Sequence, residues 1–569
     1  MNKRNRGGAT ILALVALVAI NVVAALLHAR FDLTAEHRYS LSKPTQRLLN
    51  GLDSTVNIDV YVTGKDLPSF ARKFKNTLAD FLDEARENGG PKIQYRFIDP
   101  FAGDSTESRI LLDSLKDNYG LAPAAIQAPE KVGDNLQIVS LVHGAIVYQG
   151  DRRYPVNLLE GQRSFGTDAE SLQKLYNNIE ASIEYKFANA IEKVSAKEKP
   201  LVAYLLGNGE AWGYNINDAF TSLRENYFAD TLNIREVPYI PTEINAVVIM
   251  KPTRPFTTED KLKLDQYATH GGKIFFLVDN VYAEFDSLYN SGGFIAFDRG
   301  LQLEDLFFNW GVRINPDLVQ DMQSDQLPQV SNNNGQRRIV NWPFFPVLDG
   351  TQHPISKNLD GVRAFFPTSM DTVEAAGIRK TVLLQSSANA RVLGSPAKID
   401  FEFLQIAPDE KLFKRKNVPV AYLMEGAFRS LYAGRLPRAV ADSFKAQRYE
   451  FYPQGTAETK IIVAADGDLA LNQFSASTGP LPMGVNPFTR YTYANKEFFM
   501  NSLEYLVNPS DILQTRSKEF TLRLLDPRRT KDGKTTWQAI NIVVPVLLLI
   551  LFGVAYQQIR RRRYATSVS

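Results

Sequence analysis

The chain has 569 residues, with 65 basic and 62 acidic side chains, five histidines and no cysteine. The missing cysteine excludes disulfide exchange, thiol catalysis and thiolate metal sites, because the thiolate is the reagent in each. A net charge of +3 conceals its distribution: Lys3, Arg4, Arg6 and Arg560 to Arg563 lie in the two tails, and taking those seven from 65 leaves 58 basic against 62 acidic residues, about −4 for the body. Nothing there forms the basic face that nucleic-acid binding requires. At roughly 100–200 residues per domain, the body is long enough for two or more domains.

Both ends read as membrane helices. Residues 7–27, after MNKRNR, are uncharged and apolar except for Thr10 and Asn21. That run is longer than the core of a cleavable signal peptide, and Leu27-His28-Ala29 is a poor cleavage site, which favours an uncleaved anchor over cleavage. Residues 535–559 are 25 uncharged residues closed by Arg560 to Arg563. At about 1.5 Å per residue they exceed the roughly 30 Å hydrocarbon core of a bilayer. Trp537 and Tyr556 fall near its ends, as interfacial aromatics do, and Pro545 is tolerated inside membrane helices. The alternative is a buried core helix. The basic tails favour a cytoplasmic location for both ends, although Arg528, Arg529, Lys531 and Lys534 crowd the opposite flank of the second run. Long domains translocate largely regardless of charge, so the short tails carry more weight. The expectation is a two-pass protein of the cytoplasmic (inner) membrane, contacting lipid at both spans, with its large domain periplasmic.

After the first span, Ser42 before Lys43-Pro44 is a helix start. Val56, Ile58, Val60 and Val62 alternate with Asn57, Asp59 and Tyr61 as in a strand, and Phe70, Phe74, Leu78, Phe81, Leu82 and Ala85 share a helical face that ends at Gly89-Gly90-Pro91. Ile93, Tyr95 and Phe97 make a second strand, residues 106–118 a shorter helix, and residues 138–148 and 152–159 a hairpin about Gln149-Gly150-Asp151. This β-α-β-α-β-β order resembles a thioredoxin-like domain in topology, without its CxxC. A long helix over residues 168–194 follows.

From Leu201 the pattern changes to apolar strands alternating with helices. Strands are expected at 201–206, 232–237, 246–250, 273–278 and 460–465, and helices at 217–225, 258–267 and 495–507. Such runs predict a parallel sheet covered on both faces. Residues 301–311 read as a short amphipathic helix and 382–385 and 418–424 as further strands, whereas the polar stretch 320–341 reads as a mobile loop. The expected division is 1–30 tail and first span, 40–160 thioredoxin-like, 166–197 linker helix, 198–510 second α/β domain, 511–534 juxtamembrane linker, 535–560 second span and 561–569 tail.

Several short motifs together make a more specific resemblance. They are Tyr39-Ser40-Leu41-Ser42, Val60-Tyr61-Val62-Thr63-Gly64 with Leu67-Pro68, Phe97-Ile98-Asp99-Pro100, Gly207-Asn208-Gly209-Glu210, Gly271-Gly272-Lys273 with Asp279, and Val463-Ala464-Ala465-Asp466. In this order, followed by a terminal span, the chain resembles the GldG-type auxiliary subunit of gliding-motility-associated ABC transporters. The resemblance implies a membrane-anchored, non-ATPase component working with a permease and a cytoplasmic ATPase. It also implies a glutamine-amidotransferase-like (flavodoxin-like) second domain, a fold also seen in an intraflagellar-transport subunit. Asn208 stands where the resemblance would place histidine.

No catalytic constellation accompanies these motifs. An amidotransferase triad needs a cysteine, and His28, His37, His143, His270 and His353 are scattered, without zinc-site spacing. Gly533-Lys534-Thr535 lacks the first glycine of a phosphate-binding loop, since position 528 is Arg. Neither a metal nor a cofactor is expected. Ligands of open parallel sheets bind beyond the carboxyl ends of strands, so Gly207, Asn208, Gly209, Glu210, Asp279 and Asp466 form a candidate ligand-binding set, with the three carboxylates converging on one cleft. The competing reading makes the carboxylates helix caps or loop starts. In function, a non-catalytic transporter subunit binding an envelope protein or carbohydrate competes with an anchored carbohydrate-active or hydrolytic enzyme using paired carboxylates.

Overall fold

The computed structural model describes residues 15–16, 40–64, 67, 69–129, 136–159, 169–330, 337–401, 408–436, 442, 444, 449–475, 478–508, 512–517 and 534–564. Apart from Val15 and Ala16, the expected first span lies outside the described residues. The chain divides into two units, Met1–Lys518 and Glu519–Ser569.

The first sheet grows from the segments that alternation picks out. Helix α1 (Lys43–Asn50) is capped by Ser42, whose side chain accepts from Thr45 N, with Pro44 in its first turn. Strand β1 (Val56–Val60), helix α2 (Ser69–Gly89), strand β2 (Ile93–Phe97) and helix α3 (Ser105–Tyr119) follow. Then come β3 (Pro123–Pro129), β4 (Leu136–Val142), β5 (Gly144–Gln149), β6 (Arg152–Asn157) and helix α4 (Ala169–Ser195). The sheet order is β2-β1-β5-β6, parallel between β1 and β2 and antiparallel beyond. Phe74, Leu78 and Leu82 of α2 meet Ile179, Ile183, Phe187 and Ile191 of α4 on one face, and Leu115 of α3 packs with Tyr61 and Ile146 on the other. One expectation needs correction. Residues 138–148 are not a single strand: the chain breaks at buried His143, and β4 pairs with β3 rather than with the sheet.

The second sheet contains β7 (Leu201–Leu206), β8 (Phe228–Asn233), β9 (Ala246–Met250) and β10 (Lys273–Leu277), with helices α5 (Asn217–Asn226) and α6 (Thr258–Thr269) between them. After β11 (Val281–Tyr282), α7 (Phe285–Ser291), β12 (Gly293–Asp298) and α8 (Glu304–Trp310) come β13 (Val312–Ile314), β14 (Asp317–Asp321), β15 (Ser324–Val330) and β16 (Arg337–Gly350). Next are β17 (Val362–Arg363), β18 (Met370–Thr372), β19 (Arg379–Gln385), β20 (Ala390–Gly394), β21 (Ala397–Asp400), β22 (Pro419–Gly426), β23 (Thr459–Ala464) and helix α9 (Asn495–Val507). The path across the sheet is β15-β16-β19-β22-β23-β10-β9-β7-β8.

Every residue of β9 is buried, as a strand covered on both faces must be. Ala219 and Leu223 of α5 and Phe498, Phe499 and Leu503 of α9 cover one face, while Leu262 and Tyr267 of α6 and Leu306, Phe307 and Trp310 of α8 cover the other. Only the five strands from β8 to β23 are parallel; β22, β19, β16 and β15 continue antiparallel, so the sheet is mixed. β19 is half-exposed along much of its length, which an antiparallel strand tolerates and a central parallel one does not.

Within the polar stretch expected as a loop, 320–341, residues 320–330 and 337–341 are largely strand, and 331–336 lie outside the described residues. β15 and β16 form a long antiparallel ribbon, with Gln326 opposite Asn341 and Val330 opposite Arg337. Its polar composition hides a buried ion pair. Asp325 and Arg363 are 1% and 2% exposed at their side chains, with Nε 2.5 Å from Oδ2. Asn486 Nδ2 donates to both Asp325 oxygens (2.8 and 2.9 Å), Tyr493 Oη donates at 2.6 Å, and the guanidinium lies 4.3 Å from the Phe365 ring centroid. A polar signature therefore marks core here.

Helix α4 is anchored through its middle and its C-terminal turn. Glu184 accepts from Ser42 N (2.7 Å) and Thr45 Oγ1 (2.8 Å) of the α1 start, and Lys193 Nζ pairs with Glu504 of α9 at 2.7 Å. The turn Ile512–Ser517 packs on α4 and on α1, with Arg516 stacked 5.2 Å from the Tyr185 ring centroid. In the second unit, helix α10 (Lys534–Tyr564) contains the candidate membrane span Trp537–Arg562, within which an 18-residue stretch has mean hydropathy 2.5 and is not buried within this chain. An apolar helix of this length with no protein cover fits a bilayer.

Breaking a buried ion pair from one side strands a charge, at a typical cost of about 3–5 kcal/mol. Asp325→Ala is therefore expected to lower the thermal unfolding temperature of the detergent-solubilised chain sharply. Asp325→Leu combined with Arg363→Met should recover most of the loss, and unfolding followed by tryptophan fluorescence measures both.

Candidate functional site

The parallel strands all release their chain at one edge, and the polar residues that follow them are brought together there. Strand β9 leads into Lys251, β10 into Asp279, and β23 into Asp466-Gly467-Asp468. Lys251 takes a left-handed backbone angle, φ 51°, which is costly for a side chain other than glycine. Its backbone N–H donates to Leu277 O at 2.8 Å, and its side chain turns across the neighbouring loops.

Lys251 Nζ lies 2.7 and 2.8 Å from the two oxygens of Asp468, 2.8 Å from Glu284 Oε2 and 3.3 Å from Asp279 Oδ2. Arg299, at the end of β12, closes the far side, donating to Glu284 Oε1 at 2.6 Å and lying 3.9 Å from Asp279 Oδ2. Gly467 is required between the two aspartates, because a Cβ there would stand 2.9 Å from Lys251 Cβ and 3.0 Å from Asp279 Oδ1. Its N–H donates to Asp279 Oδ1 at 2.5 Å. Asp466 is fully buried; Oδ2 accepts from Phe365 N and Oδ1 from Asp468 N, both at 2.7 Å.

Four carboxyls against two cations leave two negative charges if every group ionises. Burial first, then the charges of Asp279 and Asp468, push Asp466 well above the carboxylate range. Burial likewise lifts Asp468 to about 7, against the opposing pull of Lys251. Burial alone would lower Lys251, yet Asp468, Asp279 and Glu284 outweigh it and keep the ammonium charged. Burial would raise Glu284, but Lys251 and Arg299 hold it below its ordinary value. The arrangement can therefore hold and release protons near neutral pH.

Oxygens of Asp279, Asp466 and Asp468 lie within 4.8 Å of one another, close enough to ligate one ion. The ammonium of Lys251 already contacts two of those three carboxylates, so a divalent cation would have to displace it.

Of the three carboxylates expected to converge, Asp279 and Asp466 do so and Glu210 does not join them. Glu210 follows β7, two strands from β10, which at about 4.8 Å per strand is roughly 10 Å away across the sheet. It lies instead in the loop of Gly207, Asn208 and Gly209, where Glu210 Oε2 accepts from Asn208 N at 2.8 Å. None of the three caps a described helix; each binds loop N–H groups instead. Lys251, Asp468, Glu284 and Arg299 were missed. A lysine directly after a wholly apolar strand was a signal for the first, and the Asp-x-Asp spacing for the second. Glu284 and Arg299 lie between the expected elements at 273–278 and 301–311 and carry no local signal.

Beside this cluster is an aromatic shelf. Trp212, Tyr214 and Phe474 are 62%, 69% and 55% exposed, and the Tyr214 and Phe474 ring centroids are 5.5 Å apart. Asn472, four residues after Asp468, donates to Tyr214 O at 2.7 Å and ties the shelf to the cluster loop.

This edge is polar and ionic above a doubly covered sheet. A family model described as an ABC-type uncharacterized transport system matches residues 199–502, and the chain belongs to that family of transporter auxiliary components. A domain of unknown function matches residues 35–148. An uncharacterized protein of Borreliella burgdorferi is 19% identical over 538 residues, covering 92% of each chain. Among solved structures, the mmIFT52 N-terminal domain is similar at 14% identity and a TM-score of 0.29, over 57% of this chain and all of that domain.

A carboxyl whose folded pKa is raised stabilises the fold below its unfolded value and loses that contribution as pH climbs through the folded value. Asp468 should therefore make stability fall as pH rises from 3.8 through about 7. Asp468→Asn, although less stable for want of its Lys251 contact, should show a shallower fall over that window. Unfolding temperature against pH for both chains checks the slope.

Proposed function

We propose that the chain is a non-catalytic, membrane-anchored auxiliary subunit of an ABC transporter of the gliding-motility-linked type, with a large extracytoplasmic region that binds a ligand or an envelope partner. The observation that carries this reading is family membership across residues 199–502 in a chain with a 26-residue candidate membrane span, Trp537–Arg562, whose apolar stretch is not buried against the chain. ATP hydrolysis is assigned to a cytoplasmic ATPase subunit and passage of the substrate to a permease, because this chain carries the motif of neither.

The division into a thioredoxin-like domain over 40–160 and an amidotransferase-like domain over 198–510 draws support from strand order. Numbered in sequence, the parallel strands β8-β7-β9-β10-β23 run 2-1-3-4-5, the flavodoxin-like order. Two-pass anchoring in the inner membrane with the large domain periplasmic is supported by the packing of α1 against Ile512–Ser517. The folded unit begins and ends at one place, as it would if both tethers led to one membrane.

We assign ligand contact to the strand-end loops carrying Gly207, Asn208, Gly209, Glu210, Asp279 and Asp466, with the shelf of Trp212, Tyr214 and Phe474 offering apolar surface to an envelope protein or to sugar rings. An anchored hydrolase is less well supported. Asp466 is fully buried with both oxygens engaged by backbone N–H groups, which leaves it no access to a glycosidic oxygen.

Asn541 and Pro545 in the terminal helix are the positions at which a membrane helix usually faces protein. A chain ending at Arg529 should lose co-purification with the permease while keeping the near-ultraviolet circular dichroism of the folded unit. Undiminished co-purification would move the contact off this helix and count against the reading.

A further inference from the structure

The crevice between the loops after β7 and β9 is the switch point of the parallel strand order, where open α/β sheets admit ligands. In this chain it is laced shut. Asn208 O accepts from Thr253 N at 3.0 Å and from Arg254 N at 2.8 Å, Thr253 Oγ1 donates to Gly209 O at 2.8 Å, and Ala211 N donates to Met250 O at 3.1 Å. Gly207 and Gly209 hold φ of 130° and 76°, and a Cβ on Gly209 would strike Thr253 Oγ1.

This backbone turns its N–H groups inward. Asn208 N donates to Glu210 Oε2 at 2.8 Å, and the N–H groups of Glu210 and Gly207 help to hold the charged form of that carboxylate. Successive N–H groups gathered on one anion form a nest of the kind that binds oxyanions in other proteins. Here the anion is the chain's own side chain. Its fit is incomplete: Glu210 is 8% exposed, yet Oε1 has no hydrogen-bond partner. Asn208 Oδ1 is also buried without one, although Asn208 Nδ2 donates to Pro255 O and Asp260 Oδ2, both at 3.2 Å. Burial accordingly raises the Glu210 pKa, against the pull of those N–H groups. Exposed Arg235 and Arg254 stand at the rim, a charge complement for an incoming anion, and exposed Trp212 follows two residues on.

We propose that the 207–210 loop is a carboxylate-binding cradle that the chain keeps closed with Glu210, and that a ligand carboxylate takes the cradle when Glu210 leaves it. The contact is autoinhibitory; it rests on the assignment of ligand contact to this loop, while the transporter assignment stands or falls by other measurements. An internal carboxylate competes at high effective concentration, so weak free anions do not displace it. Removing it exposes the cradle.

The test uses the full-length chain in detergent, unfolded thermally with tryptophan fluorescence as the signal, in sodium formate, sodium phosphate or sodium chloride at matched ionic strength. Glu210→Ala should unfold below the unsubstituted chain, and formate should raise its unfolding temperature saturably by at least about 2 °C over chloride. The unsubstituted chain and Glu210→Gln, whose amide oxygen still accepts the N–H groups, should not respond to formate. A Glu210→Ala chain that folds only when formate is present supports the proposal equally. It is overturned if Glu210→Ala shows no formate response, if Glu210→Gln responds as strongly, if phosphate raises the temperature more than formate, or if Glu210→Ala fails to fold even in formate.

Discussion

One ammonium group holds the strand-end edge of this protein's large sheet together. Lys251 reaches from the end of β9 to carboxylates that follow β10 and β23, at 2.7–3.3 Å, and Arg299 seals the same group from β12. Without a cation at that point, Asp279, Asp466 and Asp468 would face one another within 4.8 Å in a largely dehydrated pocket. Like charges so placed either take up protons or force the loops apart. A lysine costs desolvation there, which its three carboxylate partners offset, and the strained φ of Lys251 shows that the backbone yields to put it in place. The loop geometry that any ligand would meet depends on that contact.

Much of the scaffold was legible because it rests on local signals. The buried runs of β7, β9, β10 and β23, the Ser42 cap and the span of α9 all follow from apolar periodicity and end chemistry, which the chain states within a few residues. Where pairing decides the structure, the sequence is silent. The β15–β16 ribbon reads as polar because Asp325 is paired with Arg363, 38 positions on, and no window of ordinary length contains both. The same limit applies to the site. Asp279 and Asp466 announce themselves as acids after apolar strands, whereas Arg299 is recruited from an irregular region by tertiary contact. Glu210 carried the same local signal as Asp279 and stands apart from it because β9 lies between their neighbourhoods, a fact of strand order and not of spacing.

The described parts divide the work. The doubly covered sheet is rigid, with β9 wholly buried and helices on both faces. The strand-end loops carry titratable groups and the exposed aromatic shelf. Helix α4 joins the two sheets through Lys193–Glu504 in its last turn and Glu184 with α1 at its middle, with Ile512–Ser517 packed alongside. A load applied where the chain enters and leaves this unit therefore reaches the sheet through packed helices and buried ion pairs and not through a slack linker.

The most direct test of the transporter assignment is purification of the full-length chain from its native membranes through an added affinity tag, followed by measurement of ATP hydrolysis in the eluate. The account predicts vanadate-sensitive hydrolysis that travels with a multi-span protein and a separate nucleotide-binding subunit. Elution of the chain alone, or hydrolysis that persists when this chain is the only protein present, would contradict it.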